Sequence, residues 1–373
     1  MNYLILSSEF GDGYDSAAFS LAQAAEKAGI ETVIADPAVF SSGSPKLYRK
    51  LFSRYKGFRV LRKYANKLYD RTNLEEHGFH SPSSQFFSNL NEYIAAEKFG
   101  AVICVGNDVI NRITESDHTI DAPACAVMAD FVCPSDKGLT RYDRVFVPHE
   151  LIRAELIAKD YPESRITVSG IPVPPAFSGQ MGRQAARNYL VIPQSRRVYL
   201  IHCRGLSTGN IEDICDSLIR EESHDYAVYL LVGREESKRD DLLAYYGTSG
   251  RINVITYTEK VNVYMEAADV MLAKSVGIIS AEGALSSVPI VHVSPVTGRD
   301  KNADFLASCE MSLKALGVRD TVKKAMRLAE KTVLTERMKI IQRINCPRDG
   351  ADTVIRTVSE KMCGMLTAPK EGL

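Results

Sequence analysis

The sequence predicts an α/β protein built from two similar domains, each with a parallel sheet. Short apolar runs alternate with amphipathic helical patterns from one end of the chain to the other. This rhythm is typical of parallel strands that are covered by helices on both faces. It restarts near residue 196, after a stretch at residues 170–183 that contains three prolines and three glycines. A chain of 373 residues also favours two domains over one.

The Pro- and Gly-rich stretch sets the predicted domain boundary. The first domain is expected at residues 1–175 and the second at residues 176–346. Residues 347–373 follow Cys346-Pro347 and are expected to form a helix that packs back on the first domain. We find no fixed-period repeat and no low-complexity tract.

The individual elements follow from the apolar pattern. In the first half, β-rich runs predict strands at residues 3–7, 32–36, 101–105, 123–128, 144–147 and 166–169. In the second half they predict strands at residues 197–201, 227–232, 252–256, 270–273 and 290–293. Helical periodicity indicates helices at residues 16–27, 85–98, 150–159, 210–220, 235–245, 262–267, 280–285 and 349–362.

The composition excludes several classes of protein. Lys+Arg and Asp+Glu both number 46, so overall charge does not favour nucleic-acid binding. No run approaches ~18 consecutive apolar residues, and the first residues lack a basic n-region, so neither a membrane span nor a signal peptide is expected. The eight cysteines form no C-x-x-C pair, which indicates buried free thiols in a reducing compartment, by default the cytoplasm.

One segment of the first domain is strongly basic and aromatic. Residues 45–72 carry ten Lys or Arg, one Asp and six aromatic residues, a local charge of +9. Such a stretch suits an anionic membrane surface, although a solvated helix and RNA binding stay open as alternatives. The membrane-binding candidates are Arg49, Lys50, Phe52, Arg54, Tyr55, Phe58, Arg59, Arg62 and Lys63.

A glycine turn follows the first strand. Gly11, Gly13 and Tyr14 open a helix, and Asp36 ends the next strand, which partly imitates a dinucleotide-binding fingerprint. Ser16 stands in place of the third glycine. The turn therefore either brings backbone N–H groups to a ligand or is a plain βα connection.

The richest pattern lies at residues 269–306. A strand ends at Lys274, a turn contains Gly277, and a helix is expected from near Ser280 with Glu282 in its first turn. A helix N-terminus suits a diphosphate, and a first-turn carboxylate either accepts ribose hydroxyls or only caps the helix. The donor-binding candidates are Arg204, Gly233, Lys274, Gly277, Ser280, Ala281, Glu282, Gly298, Arg299 and Asp300.

These motifs resemble those of the MurG-like and diacylglycerol glycosyltransferases. KSVGIISAEGALSSVP followed by SPVTGRDKNADFL resembles their donor signature K-P-G-G-x-T-x-x-E-A-L-x-x-G-x-P followed by P-x-P-G-Q-E-x-x-N. SGIPVPPAF resembles their linker T-G-I-P-V-x-P-x-F, and Ala129-Asp130-Phe131 resembles T-D-F. The likeness covers nearly the whole chain in order, and the basic segment lies where the family contacts membranes.

The resemblance implies a GT-B fold, in which two Rossmann-like domains face an interdomain cleft. It implies inverting transfer of a hexose from a UDP-sugar to a lipid acceptor such as diacylglycerol, at the cytoplasmic face of a membrane. No D-x-D motif occurs, so no metal or other cofactor is expected. The sugar, the acceptor, the processivity and the oligomeric state stay open.

The family's usual histidines are replaced. Tyr14 stands in the glycine turn, and Pro134 lies near the place where a histidine follows T-D-F. The expected base is therefore Asp130, with Asp15 and Glu9 as alternatives, while His149 is expected only to cap a helix. Val276 also replaces a glycine of K-P-G-G. A non-catalytic homologue, a UDP-sugar epimerase and, less favoured, a dehydrogenase are the competing functions.

Overall fold

The computed structural model describes residues 2–8, 14–41, 84–134, 138–330 and 332–367. Two compact units divide the chain. The first unit comprises Met1–Ala129, Cys133–Pro172 and Ala351–Leu373, and the second comprises Asp130–Val132 and Val173–Gly350. Several residues named above lie outside the described residues: the basic segment at residues 45–72, and Glu9, Gly11 and Gly13 of the first domain. The side chains of Tyr14 and Asp15 are not described either.

The first unit contains a six-stranded sheet whose neighbouring strands all pair in parallel. Its strands are β1 Asn2–Ser7, β2 Glu31–Ala35, β3 Ala101–Val105, β4 Ala124–Val127, β5 Arg144–Val147 and β6 Ile166–Val168, in the order β2-β1-β3-β4-β5-β6. Its helices include α1 Tyr14–Lys27, α2 Ser84–Glu97, α3 Asn107–Thr114 and α4 Glu150–Ala158. In this unit the Tyr3 hydroxyl lies 3.0 Å from Ser359 Oγ of the C-terminal helix, Gly350–Thr367.

The second unit repeats this architecture. Its strands are β7 Arg197–His202, β8 Tyr226–Gly233, β9 Ile252–Thr256, β10 Val270–Ala273, β11 Ile290–Ser294 and β12 Leu313–Leu316, in the order β12-β11-β10-β7-β8-β9. Its helices are α5 Arg183–Tyr189, α6 Thr208–Glu221, α7 Glu236–Tyr246, α8 Val261–Ala267, α9 Gly277–Leu285, α10 Lys301–Ser308, α11 Gly317–Ala329 and α12 Val333–Asn345. We number the C-terminal helix α13.

The strand order of the second sheet indicates where a ligand is expected to bind. Its direction of growth reverses between β7 and β10, which are adjacent although two strands separate them along the chain. In open parallel sheets, ligands bind beyond the carboxyl ends of the strands at such a reversal. Residues that follow β7 and β10 are therefore brought together where a ligand is expected.

The predicted α/β class with two parallel sheets is confirmed, and each of the eleven predicted strands is present. Strand β12 and five helices were not predicted, namely α3, α5, α10, α11 and α12. The prediction of free thiols is confirmed for the seven cysteines whose side chains are described, five of which are buried. Burial raises the pKa of Cys104 to about 12, so this thiol stays protonated and unreactive at neutral pH.

A fully buried arginine ties α5 to the second sheet. Arg187 Nη2 donates to Asp269 Oδ2 at 2.7 Å, and Arg187 Nε donates to the carbonyl of Ala267 at 2.8 Å. Its Nη1 donates to three further backbone carbonyls, those of Pro193, Gln194 and Arg196. Because the same Asp269 oxygen accepts the N–H of Val198 at 2.9 Å, this ion pair fixes the start of β7.

A second buried carboxylate, that of Glu222, also contacts the start of β7. Burial alone would raise the pKa of Glu222, but hydrogen bonds from the Tyr199 hydroxyl, from His224 and from Arg197 lower it to about 2. The folded-state pKa thus lies below the ordinary value of 4.5. This carboxylate therefore stabilises the fold above about pH 4.5, and the contribution is lost as the pH falls towards 2.

We expect Glu222→Gln to lower the free energy of unfolding at pH 7 and to flatten its decline between pH 4.5 and 2. Urea unfolding curves recorded across that range measure both effects. Glu221→Gln changes the exposed neighbouring carboxylate and is the matched control. Parallel pH profiles for the wild type and Glu222→Gln would contradict this account.

Candidate functional site

The site centres on the N-terminus of α9, at the carboxyl end of β10. Lys274, Ser275 and Val276 connect the strand to the helix, which begins at Gly277. This corrects the predicted start near Ser280, so that Glu282 lies in the second turn of the helix and not in the first. The first N–H groups of a helix have no partner within it, and they carry the positive end of the helix dipole.

A glycine inside α9 lets the helix approach the sheet closely. A Cβ atom at Gly283 would lie 2.5 Å from Met271 Cε and 3.0 Å from Ile290 Cδ1, on β10 and β11. Gly283 lies between Glu282 and Ala284. The donor signature of the diacylglycerol glycosyltransferases has no residue at this point. Every residue of α9 is buried, so this helix is packed within the second unit on all its faces.

Two cationic residues lie at the strand reversal. Gly205 has a φ of +74°, and a Cβ atom there would lie 2.8 Å from Lys274 Cδ. The Lys274 side chain therefore lies against the loop that follows β7, at a residue whose positive φ favours glycine. Arg204, the preceding residue in this loop, is exposed. A lysine, an arginine and a helix N-terminus thus create positive potential at one place, as an anionic ligand requires.

Two histidines, the buried His292 and the partly buried His202, lie on the strands next to β10. His202 and His292 flank Ala273 in register across β7, β10 and β11. Burial lowers the pKa of each to about 4, so both imidazoles are neutral at pH 7 and add no charge to the site. Ser280 Oγ donates to the carbonyl of Val276 at 2.8 Å and lies 3.4 Å from His292 Nε2. The hydroxyl of Ser280 therefore donates its hydrogen bond within α9 and its N-cap, to the carbonyl of Val276.

The carboxylate of Asp300 accepts hydrogen bonds from three groups of the chain. It caps α10 by accepting the N–H of Ala303 at 3.0 Å, and it also accepts hydrogen bonds from the hydroxyls of Ser275 and Ser294. Burial opposes ionisation, but these hydrogen bonds outweigh it and lower the pKa of Asp300. Asp300 is one of the donor-binding candidates, and in this structure both of its oxygens accept hydrogen bonds that hold α10 beside the start of α9.

Asp130 contacts the helix N-terminus directly. Asp130 Oδ1 accepts the N–H of Gly277 at 3.1 Å and the side-chain amide of Asn302 at 3.0 Å. Asn302 Oδ1 in turn accepts the N–H of Phe131 at 2.8 Å, and the ring of Phe131 stacks on that of Phe305. All of these residues belong to the second unit. The expected base is thus hydrogen-bonded to the N–H group expected to bind a phosphate.

The remaining candidates lie at a strand end, in loops and inside helices. Gly233 ends β8 with a φ of +74°, and Gly298 has a φ of +70° in the loop after β11. Arg299 is exposed and Ala281 is buried. His149 Nδ1 accepts the N–H of Leu151 at 3.0 Å as the N-cap of α4, which confirms its predicted capping role.

Several residues of the site were missed from sequence. Ser275 and Ser294 hold Asp300, and His292 contacts Ser280. Arg234 also lies 4.3 Å from the centre of the Tyr257 ring, where β8 and β9 end. An Asp directly before a helical pattern is a common N-cap signal. Of these missed features, only the cap at Asp300 could therefore have been found from the sequence.

Within the described ranges, no three His, Cys, Asp or Glu side chains lie close enough to hold a metal ion. No helix of that same part of the chain is both long and apolar enough to cross a bilayer.

Known proteins resemble this chain over most of its length. No protein-family model matches it. The chain is 24% identical over 321 residues to the processive diacylglycerol beta-glucosyltransferase of Bacillus licheniformis, which covers 82% of this chain and 80% of the relative. The enzyme of the same description from Bacillus thuringiensis is 22% identical, covering 96% of this chain and 93% of the relative. The predicted resemblance to diacylglycerol glycosyltransferases is thereby confirmed.

Solved structures decide the fold. Acinetobacter baumannii MurG matches with a TM-score of 0.63 at 14% identity, covering 96% of this chain and 99% of MurG. The fold is GT-B. The GT-B chains that match also include S. aureus MnaA in a structure with UDP, at a TM-score of 0.62 and 13% identity, with 100% of both chains covered. The GT-B assignment agrees with the two parallel six-stranded sheets.

Proposed function

We propose that this chain is an inverting glycosyltransferase that moves a hexose from a UDP-sugar to a lipid acceptor such as diacylglycerol. The observation that carries the proposal is the meeting of Lys274, the Arg204 loop and the N-terminus of α9 at the strand reversal of a GT-B unit. The names of the curated relatives support a lipid acceptor and a hexose. The UDP-containing GT-B structure supports the nucleotide.

In this proposal the second unit binds the donor. The N–H groups of the first turn of α9 and the side chain of Lys274 receive the diphosphate, and Arg204 adds positive charge beside it. These groups stabilise the negative charge that develops on UDP as it leaves the sugar. The chain has no D-x-D motif, so we propose that this charge is neutralised without a metal ion.

Glu282 is proposed to hold the ribose by accepting hydrogen bonds from its hydroxyls. Glu282→Ala should weaken UDP binding by about 1.5–3 kcal/mol, the scale of hydrogen bonds to a charged group. Isothermal titration calorimetry with UDP measures this difference. Glu221→Ala, which removes an exposed carboxylate of the same unit, is the control. Equal affinities for the wild type and Glu282→Ala would reject the ribose assignment.

The acceptor hydroxyl needs a base, and we propose Asp130, with Asp15 as the alternative. Asp130 Oδ1 accepts the N–H of Gly277 in this structure, so its carboxylate must leave that N–H to reach the acceptor on the face of the anomeric carbon opposite UDP. The acceptor oxygen attacks the anomeric carbon as its proton passes to the carboxylate, and the bond from that carbon to UDP breaks on the opposite face. Inversion at the anomeric carbon follows from this in-line geometry.

The segment at residues 45–72 is proposed to dock on anionic lipid at the cytoplasmic membrane surface. Reversing Arg59, Arg62 and Lys63 to Glu should release the protein from vesicles that contain anionic lipid, because each basic residue near such a surface contributes roughly 1 kcal/mol. Vesicle sedimentation at low and high salt measures this. Reversing the exposed Arg319, Lys323 and Arg327 of α11 changes the charge equally and is the control. Equal sedimentation with neutral vesicles would contradict the proposal.

The experiment that tests the function is sugar transfer itself. Radiolabelled UDP-glucose or UDP-galactose is incubated with the protein and with vesicles that contain diacylglycerol, and the lipid fraction is separated. We expect labelled glycolipid whose formation depends on the diacylglycerol. Binding of UDP-sugar without any transfer would instead support a non-catalytic homologue.

A UDP-sugar epimerase is the second candidate, because epimerases share the fold. UDP-GlcNAc 2-epimerase from Neisseria meningitidis, in a structure with UDP-GlcNAc, matches with a TM-score of 0.61 at 13% identity. An epimerase needs no lipid acceptor. Conversion of UDP-GlcNAc into its epimer in the absence of vesicles would therefore place this function first.

A further inference from the structure

We propose that Asp130 is an intramolecular competitor of the donor diphosphate. This inference rests on the proposed function, which assigns the first N–H groups of α9 to that diphosphate. The carboxylate of Asp130 accepts one of those groups, the N–H of Gly277, at 3.1 Å. An anion of the chain itself thus binds where the anion of the donor is proposed to bind.

The contact is held by more than one hydrogen bond. Asn302, the second residue of α10, donates to Asp130 Oδ1 through its side-chain amide and accepts the N–H of Phe131 through its side-chain oxygen. The rings of Phe131 and Phe305 are stacked with their centres 5.7 Å apart. The segment Asp130–Val132 is therefore clamped on α10 in a way that directs its carboxylate to α9.

The helix that carries the clamp is itself fixed to the start of α9. Asp300 caps α10 and accepts the hydroxyl of Ser275, which lies two residues before Gly277. The two helix N-termini are thus joined through the partly buried carboxylate of Asp300, independently of Asp130. Removing the side chain of Asp130 should leave the N-terminus of α9 where it is.

A diphosphate cannot share this N–H group with a carboxylate. Two anions a few Å apart repel each other, and one N–H group donates to one of them at a time. Donor binding must therefore displace Asp130, which frees its carboxylate for the acceptor proton. If the N-terminus is open only about a tenth of the time, the apparent Kd for the nucleotide is raised about tenfold.

The test is the affinity of the full chain for UDP, measured by isothermal titration calorimetry. Asp130→Ala should bind UDP about tenfold more tightly than the wild type. Asn302→Ala, which loosens the clamp and keeps the charge, should tighten binding by less. Asp213→Asn removes an exposed carboxylate of the same unit and should leave the Kd unchanged.

The outcomes separate this inference from the proposed function. If the wild type binds UDP as tightly as Asp130→Ala, or more tightly, Asp130 does not compete with the donor. The proposed donor site is unaffected by that result. UDP binding by none of the variants overturns the donor site and the competition with it. If Asp130→Ala does not fold, Asp130→Asn removes the charge within nearly the same shape, and the same tightening is expected.

Discussion

Asp130→Asn is expected to lower turnover by about 10²–10⁴-fold while it tightens UDP binding. The loss follows because a positioned base contributes a factor of that size, and an amide cannot accept the acceptor proton. The gain follows because the neutral amide competes less well for the N–H of Gly277. Measuring kcat with diacylglycerol vesicles and Kd by calorimetry shows the two effects in opposite directions.

The opposite signs distinguish a base from a merely structural residue. A variant damaged at the site would lose both turnover and UDP affinity, whereas Asp213→Asn should change neither. If Asp130→Asn keeps most of its activity, Asp130 is not the base, and Asp15 becomes the first alternative.

Arg187→Ala is expected to destabilise the second unit by about 3–5 kcal/mol, the usual effect of removing one partner from a buried ion pair. The side chain of Arg187 is 0% exposed and that of Asp269 is 2% exposed. The substitution removes one of the two arginines that balance the buried charge of Asp269. It also removes the hydrogen-bond donor of the Ala267 and Arg196 carbonyls. Urea unfolding followed by far-UV circular dichroism measures the loss of stability as a lower midpoint.

The control is a neighbouring arginine in an exposed ion pair. Arg196 contacts Asp225 at 3.0 Å, with 35% and 63% of the two side chains exposed. Arg196→Ala should cost at most about 1 kcal/mol, because exposed pairs contribute little. A similar cost for Arg196→Ala and Arg187→Ala would show that burial does not decide the effect.

The strands could be predicted because parallel strands buried on both faces are continuous apolar runs. AVICV of β3 and VMLA of β10 are such runs, and all their residues are buried. The edge strand β12 was missed because its sequence, LKAL, places Lys314 inside a four-residue run. Helix α10 was missed because Asp300, its N-cap, was interpreted as a donor-binding residue and not as a helix cap.

The site was predictable only where its chemistry is local in sequence. Lys274 and Gly277 were found because a turn joins a buried strand to a helix within a few residues. The hydrogen bond between Asp130 and Gly277 joins residues that are 147 positions apart, and no sequence pattern reports such a distance. For the same reason, the position of Lys274 against Gly205 became visible only in the folded chain.

The stereochemistry of one reaction tests the central claim most directly. UDP-α-glucose or UDP-α-galactose is incubated with the protein and diacylglycerol vesicles, and the lipid product and released UDP are quantified by NMR. The account predicts equal amounts of UDP and of a β-linked glycosyl diacylglycerol. An α-linked product, an epimerised donor without glycolipid, or bound UDP-sugar that is never consumed would contradict it.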